Sequence, residues 1–313
     1  HRELIFSVRE THPNQTNDFH EPANDLVTID PLTRIIQSVA QGHDFYSSAA
    51  ISPNGDKLAY LAWDHPNMPW DGTQLFISEL KKDGTTFNLT LVAGGTEESI
   101  FQPEWSPDNI LHFISDRTGW WNIYRYKNNK VEPLYPMEAE FGQPQWVFGM
   151  SKYDFESEHS IICTYSQKGV WNMARLNMAN KSLEKIDTPY TAIENVHVDA
   201  GKVVFLGGSP TEENAVISMN LKNKEIKIIR KPNALIIDAA YLSVPETIEF
   251  PTEDNLKAHG FFYAPKNKDF TGPLGGLPPL ISIIHGGPTS ATDSVLDYRV
   301  QFWTSRGFAV FDI

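Results

Sequence analysis

The sequence predicts a repetitive all-β domain of the β-propeller type that runs into the opening of an α/β domain. Three observations carry this. A short run of alternating apolar residues recurs at a spacing of about 40 to 55 residues. Each copy is followed by a polar or Gly-containing turn and a second run that ends in a hairpin. Near residue 240 the repeat stops, and a hairpin, a strand, a helix and a strand follow in its place.

The five first runs are Leu4–Val8, Leu58–Ala62, Leu111–Ser115, Ile161–Tyr165 and Val203–Gly207. Their partners are Asp25–Ile29, Gln74–Ser78, Asn122–Tyr126, Trp171–Arg175 and Ala215–Met219. A last strand closes some units, as at Arg34–Ile36 and Lys227–Ile229. In two copies the first run is preceded by Ser-Pro-Asn-Gly (Ser52–Gly55) or Ser-Pro-Asp-Asn (Ser106–Asn109). Proline fixes φ there and Asn or Asp tolerates a left-handed backbone, so each is a tight turn between an innermost strand and the next. Four strands per unit of this length make a propeller blade, and about five blades are visible.

The recurrent Trp63, Trp105, Trp120, Trp121, Trp146 and Trp171 then serve as packing between blades rather than as a ligand platform. His12, His20, His43 and His65 lie in polar connections without metal-ligand spacing, and no metal or other cofactor is expected. In such a blade the link into the innermost strand and the link between the second and third strands share a face. For one blade these links hold Glu97, Glu98 and Arg117 beside Trp120 and Trp121. Solvated surface charge explains Glu97 and Glu98 adequately; the sharper reading is that they grip a substrate amino group.

The propeller is assigned to residues 1–240 and the second domain to 241–313. The second opens with a hairpin around Glu253-Asp254-Asn255, and a Gly/Pro-rich linker leads to the apolar strand Leu280–Ile284. Asp297–Arg306 has helical spacing, with Val300 and Trp303 on one face and Gly307 as the stop. Phe308–Phe311 is a continuous apolar run, suited to a strand covered on both faces.

A formal charge of −13 leaves no basic stripe for nucleic acid. No apolar run reaches the length of a membrane span. The single cysteine, Cys163, permits no intrachain disulfide, which favours a reducing, cytoplasmic compartment. Sequons at Asn14, Asn88 and Asn180 are of the kind that arises by chance as readily as by selection for glycosylation. The chain opens with His1 directly before an apolar run, so further sequence is expected ahead of it.

Chemistry enters at His285-Gly286-Gly287-Pro288, directly after the strand Leu280–Ile284. A two-glycine turn is often only a sharp turn. After the third strand of an α/β-hydrolase domain, however, such a turn supplies a backbone N–H to the oxyanion hole. Gly287 is the expected donor, with Gly286 and His285 orienting the loop. Together with Met68–Thr73, Ser115–Asn122 and Trp303–Phe308, this turn makes the chain resemble the prolyl oligopeptidase family of serine peptidases, in its acylaminoacyl peptidase and dipeptidyl aminopeptidase branch. The resemblance implies a seven-bladed propeller capping an α/β-hydrolase site. It implies cleavage of short peptides through an acyl-enzyme, releasing N-terminal dipeptides or acylated amino acids. The family's nucleophile sits in Gly-x-Ser-x-Gly, and no such pattern occurs here. The sequence is therefore expected to be a fragment whose catalytic Ser, Asp and His lie beyond Ile313. A non-catalytic propeller that binds a peptide or protein partner is the alternative.

Overall fold

The computed structural model describes residues 4–12, 21–232 and 237–313; the sequon at Asn14 and His20 lie outside the described residues. The chain is built almost wholly from strands that pair with their sequence neighbours. Strands β1 (Ile5–Thr11), β2 (Ala23–Ile29) and β3 (Ile36–Ala40) make a three-stranded sheet. A four-stranded sheet follows from β4 (Phe45–Ile51), β5 (Lys57–Trp63), β6 (Gln74–Leu80) and β7 (Thr86–Gly94). The next holds β8 (Ile100–Trp105), β9 (Leu111–Ser115), β10 (Asn122–Lys127) and β11 (Lys130–Pro133). Two more are β12 (Tyr153–Ser157) to β15 (Ser182–Ile186), through β13 (Ser160–Gln167) and β14 (Val170–Asn177), and β16 (Ala192–Asp199) to β19 (Ile226–Arg230), through β17 (Lys202–Ser209) and β18 (Glu212–Asn220). Strand order follows chain order in all five, which is the blade pattern the repeats predict.

Four of the first runs of the repeat are the second strands of the four-stranded sheets, while Leu4–Val8 falls on β1, an edge strand. Paired on both edges, β5, β9, β13 and β17 carry much of the core. β9 is buried throughout, and Leu58, Ala59, Leu61 and Ala62 of β5 are fully covered. The Ser-Pro turns sit where expected, with Ser52 Oγ and Ser106 Oγ each accepting a backbone N–H, from Lys57 at 3.0 Å and Ile110 at 3.1 Å. Three innermost strands share one irregularity. β4, β8 and β16 each break register over a residue in the left-handed region: Ser48 (φ 53°), Gln102 (φ 49°) and Asn195 (φ 52°). Each is a β-bulge that bends the strand.

Several expectations shift. The closing strand of the first unit begins at Ile36, because Arg34 adopts φ 61° and belongs to the turn. Trp63, Trp105, Trp121 and Trp171 are part-buried, as packing residues should be, but Trp120 and Trp146 are exposed. Trp146 lies on Trp70, ring centres 4.3 Å apart, at a loop tip rather than in a sheet interior.

By its contacts the chain divides into two compact units. The first comprises residues 1–150 with the turns 157–159 and 178–181; the second comprises 151–156, 160–177 and 182–313. Inside the second unit the strand pattern changes after β19. The strands β20 (Glu246–Pro251), β21 (Lys257–Tyr263), β22 (Leu280–Ile283) and β23 (Ala309–Asp312) form one sheet in the order β20-β21-β23-β22. β20, β21 and β23 pair antiparallel, whereas β22 and β23 are parallel and joined by a crossover. The crossover contains helix α1 (Tyr298–Thr304), shorter than the predicted span because Asp297 is its N-cap, accepting the Arg299 N–H at 2.7 Å. Val300 is buried against Phe261, Tyr263 and Val310, while Trp303 is 37% exposed, so the predicted face is buried on one side only.

Candidate active site

The two-glycine turn is held by the sheet it leaves. Ile313 N–H donates to Ile283 O at 3.0 Å, and His285 N–H donates to Ile313 O at 3.3 Å, which extends the parallel ladder past β22. The chain then turns sharply. Gly287 has φ 72°, a conformation in which a Cβ would be strained. Among the described residues neither the Gly286 nor the Gly287 N–H is used in a hydrogen bond, and both residues are exposed. His285 is also exposed, its Nδ1 3.3 Å from Gly286 O, so the ring leans on its own turn. What the turn offers chemically is an uncovered pair of backbone donors at the end of the parallel edge strand β22.

The residues after the turn are tied to the blade-type sheet of the same unit. Ser294 Oγ and Thr191 Oγ1 are 2.8 Å apart, Leu296 N–H donates to Ser209 O at 2.9 Å, and Tyr298 donates its hydroxyl to Glu213 at 3.0 Å. Val295 packs so closely on Gly208 that a Cβ there would come within 2.7 Å of it. Phe261 of β21 lies under Gly169, in the turn between β13 and β14. The links on this face of the two sheets thus fix where the turn is carried.

Carboxylates gather beside it. Burial pushes Asp312 above the ordinary carboxylate range, and the neighbouring charges of Asp297 and Asp293 add to this. Burial acts on Asp297 as well, but bonds from the Arg299 side chain and backbone outweigh it and hold Asp297 below its ordinary value.

In the first unit Glu98 and Arg117 are brought together. Glu98 Oε1 accepts from Arg117 Nε at 2.9 Å, Arg117 Nη2 at 2.7 Å and Ser115 Oγ at 2.6 Å, so that oxygen is saturated. The guanidinium also lies over Tyr124, 5.0 Å from its ring centre. Glu97 is exposed. The histidines of the connections pair with acids: His12 with Glu10, His43 with Asp64 and His65 with Glu21.

Sequence reasoning missed Lys152 altogether. It is 1% exposed, with Nζ 3.6 Å from the Trp171 ring centre and donating to Ile193 O at 3.3 Å. Burial lowers its ammonium to about 8, against the opposing pull of Glu194 and Asp293. No pattern in the sequence marks it, because its partners come from three separate strands or links.

Blade-type sheets thus lead into a mixed sheet whose parallel edge strand ends in an uncovered glycine turn. Several solved structures are similar to the chain. A puromycin-hydrolysing peptidase of Mycobacterium tuberculosis is 30% identical over 99% of this chain, with a TM-score of 0.91. A puromycin hydrolase is 29% identical over the same share, with a TM-score of 0.89. Prolyl oligopeptidase B from Galerina marginata, at 13% identity and TM-score 0.74, shares the fold. The chain is thus similar in sequence and fold to the puromycin-hydrolysing peptidases and in fold to the prolyl oligopeptidases. It spans about half the length of these proteins: 49%, 48% and 44% of them in turn. No protein-family model and no curated protein matches it.

Proposed function

We propose that this chain is the propeller and the first part of the hydrolase domain of a serine peptidase that acts on short peptides through an acyl-enzyme. The observation that carries the reading is the Gly287 turn, with its unengaged N–H groups at the end of β22. The sheet order β20-β21-β23-β22 supports it, since β22 is then the third strand and its following loop the one that donates to an oxyanion. The domain boundary near residue 240 and a count of seven blades, of which this chain holds about five, belong to the same proposal.

In this reading a serine hydroxyl outside this chain attacks the scissile carbonyl and passes its proton to a histidine. The carbonyl oxygen, now negative, is held by Gly287 N–H. The C–N bond breaks as that proton moves to the leaving amine, and water then releases the acyl group. His285 and Gly286 orient the loop. Release of N-terminal dipeptides or acylated amino acids is the substrate class proposed, and puromycin, which the neighbours hydrolyse, is a natural test substrate. Saturation of Glu98 Oε1 leaves Glu97 as the freer carboxylate for a substrate ammonium.

A fluorophosphonate probe tests the proposal on the product of the extended reading frame. Stoichiometric labelling at a serine, with none on the 313-residue chain, is the result expected. No labelling of the extended protein would sink the reading.

A further inference from the structure

A second recess lies in the first unit, between the ends of its first two sheets, and no step above uses it. It is a cavity of about 500 Å³. One wall is aromatic: Phe45 and Trp63 stack with ring centres 5.4 Å apart and an interplanar angle of 21°. Phe148 stands at its edge, 65% exposed. It is carried there by the loop 141–150, which is anchored by Gln145 donating to Ser48 at 3.3 Å and by Trp146 on Trp70. The charged groups of the lining are Glu10, Glu21 and Asp44, with His65 against Glu21 at 3.1 Å. Among the described residues no lysine or arginine lines it. The arginine nearest in sequence, Arg9, is engaged by both oxygens of Asp25 at 2.9 and 2.7 Å.

Position adds to this. Asp44 directly precedes the innermost strand β4, which Phe45 begins, and His65 follows β5, so the cavity opens on the link face of its sheet, the kind of face that carries Glu98 and Arg117 in the next sheet of the same unit. A large exposed apolar ring beside a concave, acidic, aromatic-walled surface is the combination that takes a flat, weakly hydrated cation.

We propose that this cavity binds the arginine side chain of a peptide, the guanidinium stacking on Phe45 and Trp63 and pairing with Glu10, Glu21 or Asp44. Charge complementarity selects the occupant: three carboxylates, of which Glu10 and Glu21 are met only by the imidazoles of His12 and His65, and among the described lining residues no lysine or arginine. The aromatic wall favours guanidinium over a peptide's terminal ammonium, because a terminal ammonium has neither a planar face nor an aliphatic stem to lay along it. The inference rests on the reading that the substrates are peptides, and it makes the propeller a selector of basic ones.

The test is binding without turnover, by calorimetry and Trp fluorescence, on the chain as it stands. The probe is a tripeptide of Gly-Arg-Gly with both termini blocked, compared with the same peptide carrying citrulline. Saturable binding about tenfold tighter for arginine is expected, weakening as salt is raised. The double variant Glu10→Gln/Glu21→Gln removes two exposed charges and should abolish most of that preference. Glu132→Gln, which alters a pair with Arg125 elsewhere, should leave it intact; circular dichroism on each variant confirms folding. Equal affinity for arginine and citrulline, no saturable binding, or binding only when the peptide's amino terminus is free would each overturn the proposal. Because no bond is cleaved in this assay, its failure leaves the labelling test of the peptidase reading independent.

Discussion

At the scale of the residue, Gly287 and Gly286 make a matched pair. A Cβ at Gly286 would meet nothing within 4 Å and its φ is ordinary, whereas Gly287 sits at φ 72°. Replacing Gly287 by Ala should therefore cost about 1–2 kcal/mol of left-handed strain, and replacing Gly286 by Ala much less. Urea melts of the two variants decide it, and equal losses would show that the turn relaxes. Lys152 offers a second test through pH. Its ammonium titrates near 8 in the folded chain and near 10.4 when unfolded. Between those values the unfolded state binds the extra proton, so the native state gains stability as pH rises. From pH 7 to 10 the wild type should gain about 2 kcal/mol relative to Lys152→Met, and a constant difference would mean that Lys152 titrates as in water. The contrast between the two residues shows what a sequence makes legible. Gly287 announces itself because its neighbours in the chain are its context. Lys152 does not, because the ring and carbonyl that surround it are 19 and 41 residues away.

At the scale of the element, the second and third strands of each blade were legible because their alternation is unbroken. The innermost strands were marked only by the turns that follow them. The physical reason is the shared bulge: at Ser47–Ala50 and Phe101–Glu104 the register shifts by a left-handed residue, which destroys the two-residue period a strand is recognised by. The link between β17 and β18 was likewise visible as a hairpin, but not as an anchor for the residues after the glycine turn. Tyr298→Phe tests that anchorage, since it removes the hydroxyl that donates to Glu213. A loss of about 1 kcal/mol is expected, together with faster hydrogen exchange in residues 289–297. Unchanged exchange there would mean that Thr191 and Ser209 hold the segment by themselves.

At the scale of the whole molecule, pairing between sequence neighbours is what made the architecture readable, since each blade-type sheet closes its hydrogen bonds within about 50 residues. The mixed sheet was harder to order. β23 inserts between β21 and β22, a non-sequential arrangement that local patterns do not encode. Sequential sheets also imply graded stability, because a strand paired on both edges and covered on both faces opens only with its neighbours, whereas an outer strand frays alone. β5, β9, β13 and β17 are paired on both edges and hold fully buried residues, as the third strands β6, β14 and β18 also do, while β3, β7 and β19 are mostly exposed and Ile228 and Ile229 of β19 are 44% and 54% accessible. Hydrogen-exchange mass spectrometry should therefore rank the second strands slowest and the outermost strands fastest in every blade-type sheet, with the bulged innermost strands between them. If instead all strands of a sheet exchange at one rate, each sheet opens as a single cooperative unit and the edge has no independent stability. The paired edges, not the individual side chains, would then set the scale on which the fold is held.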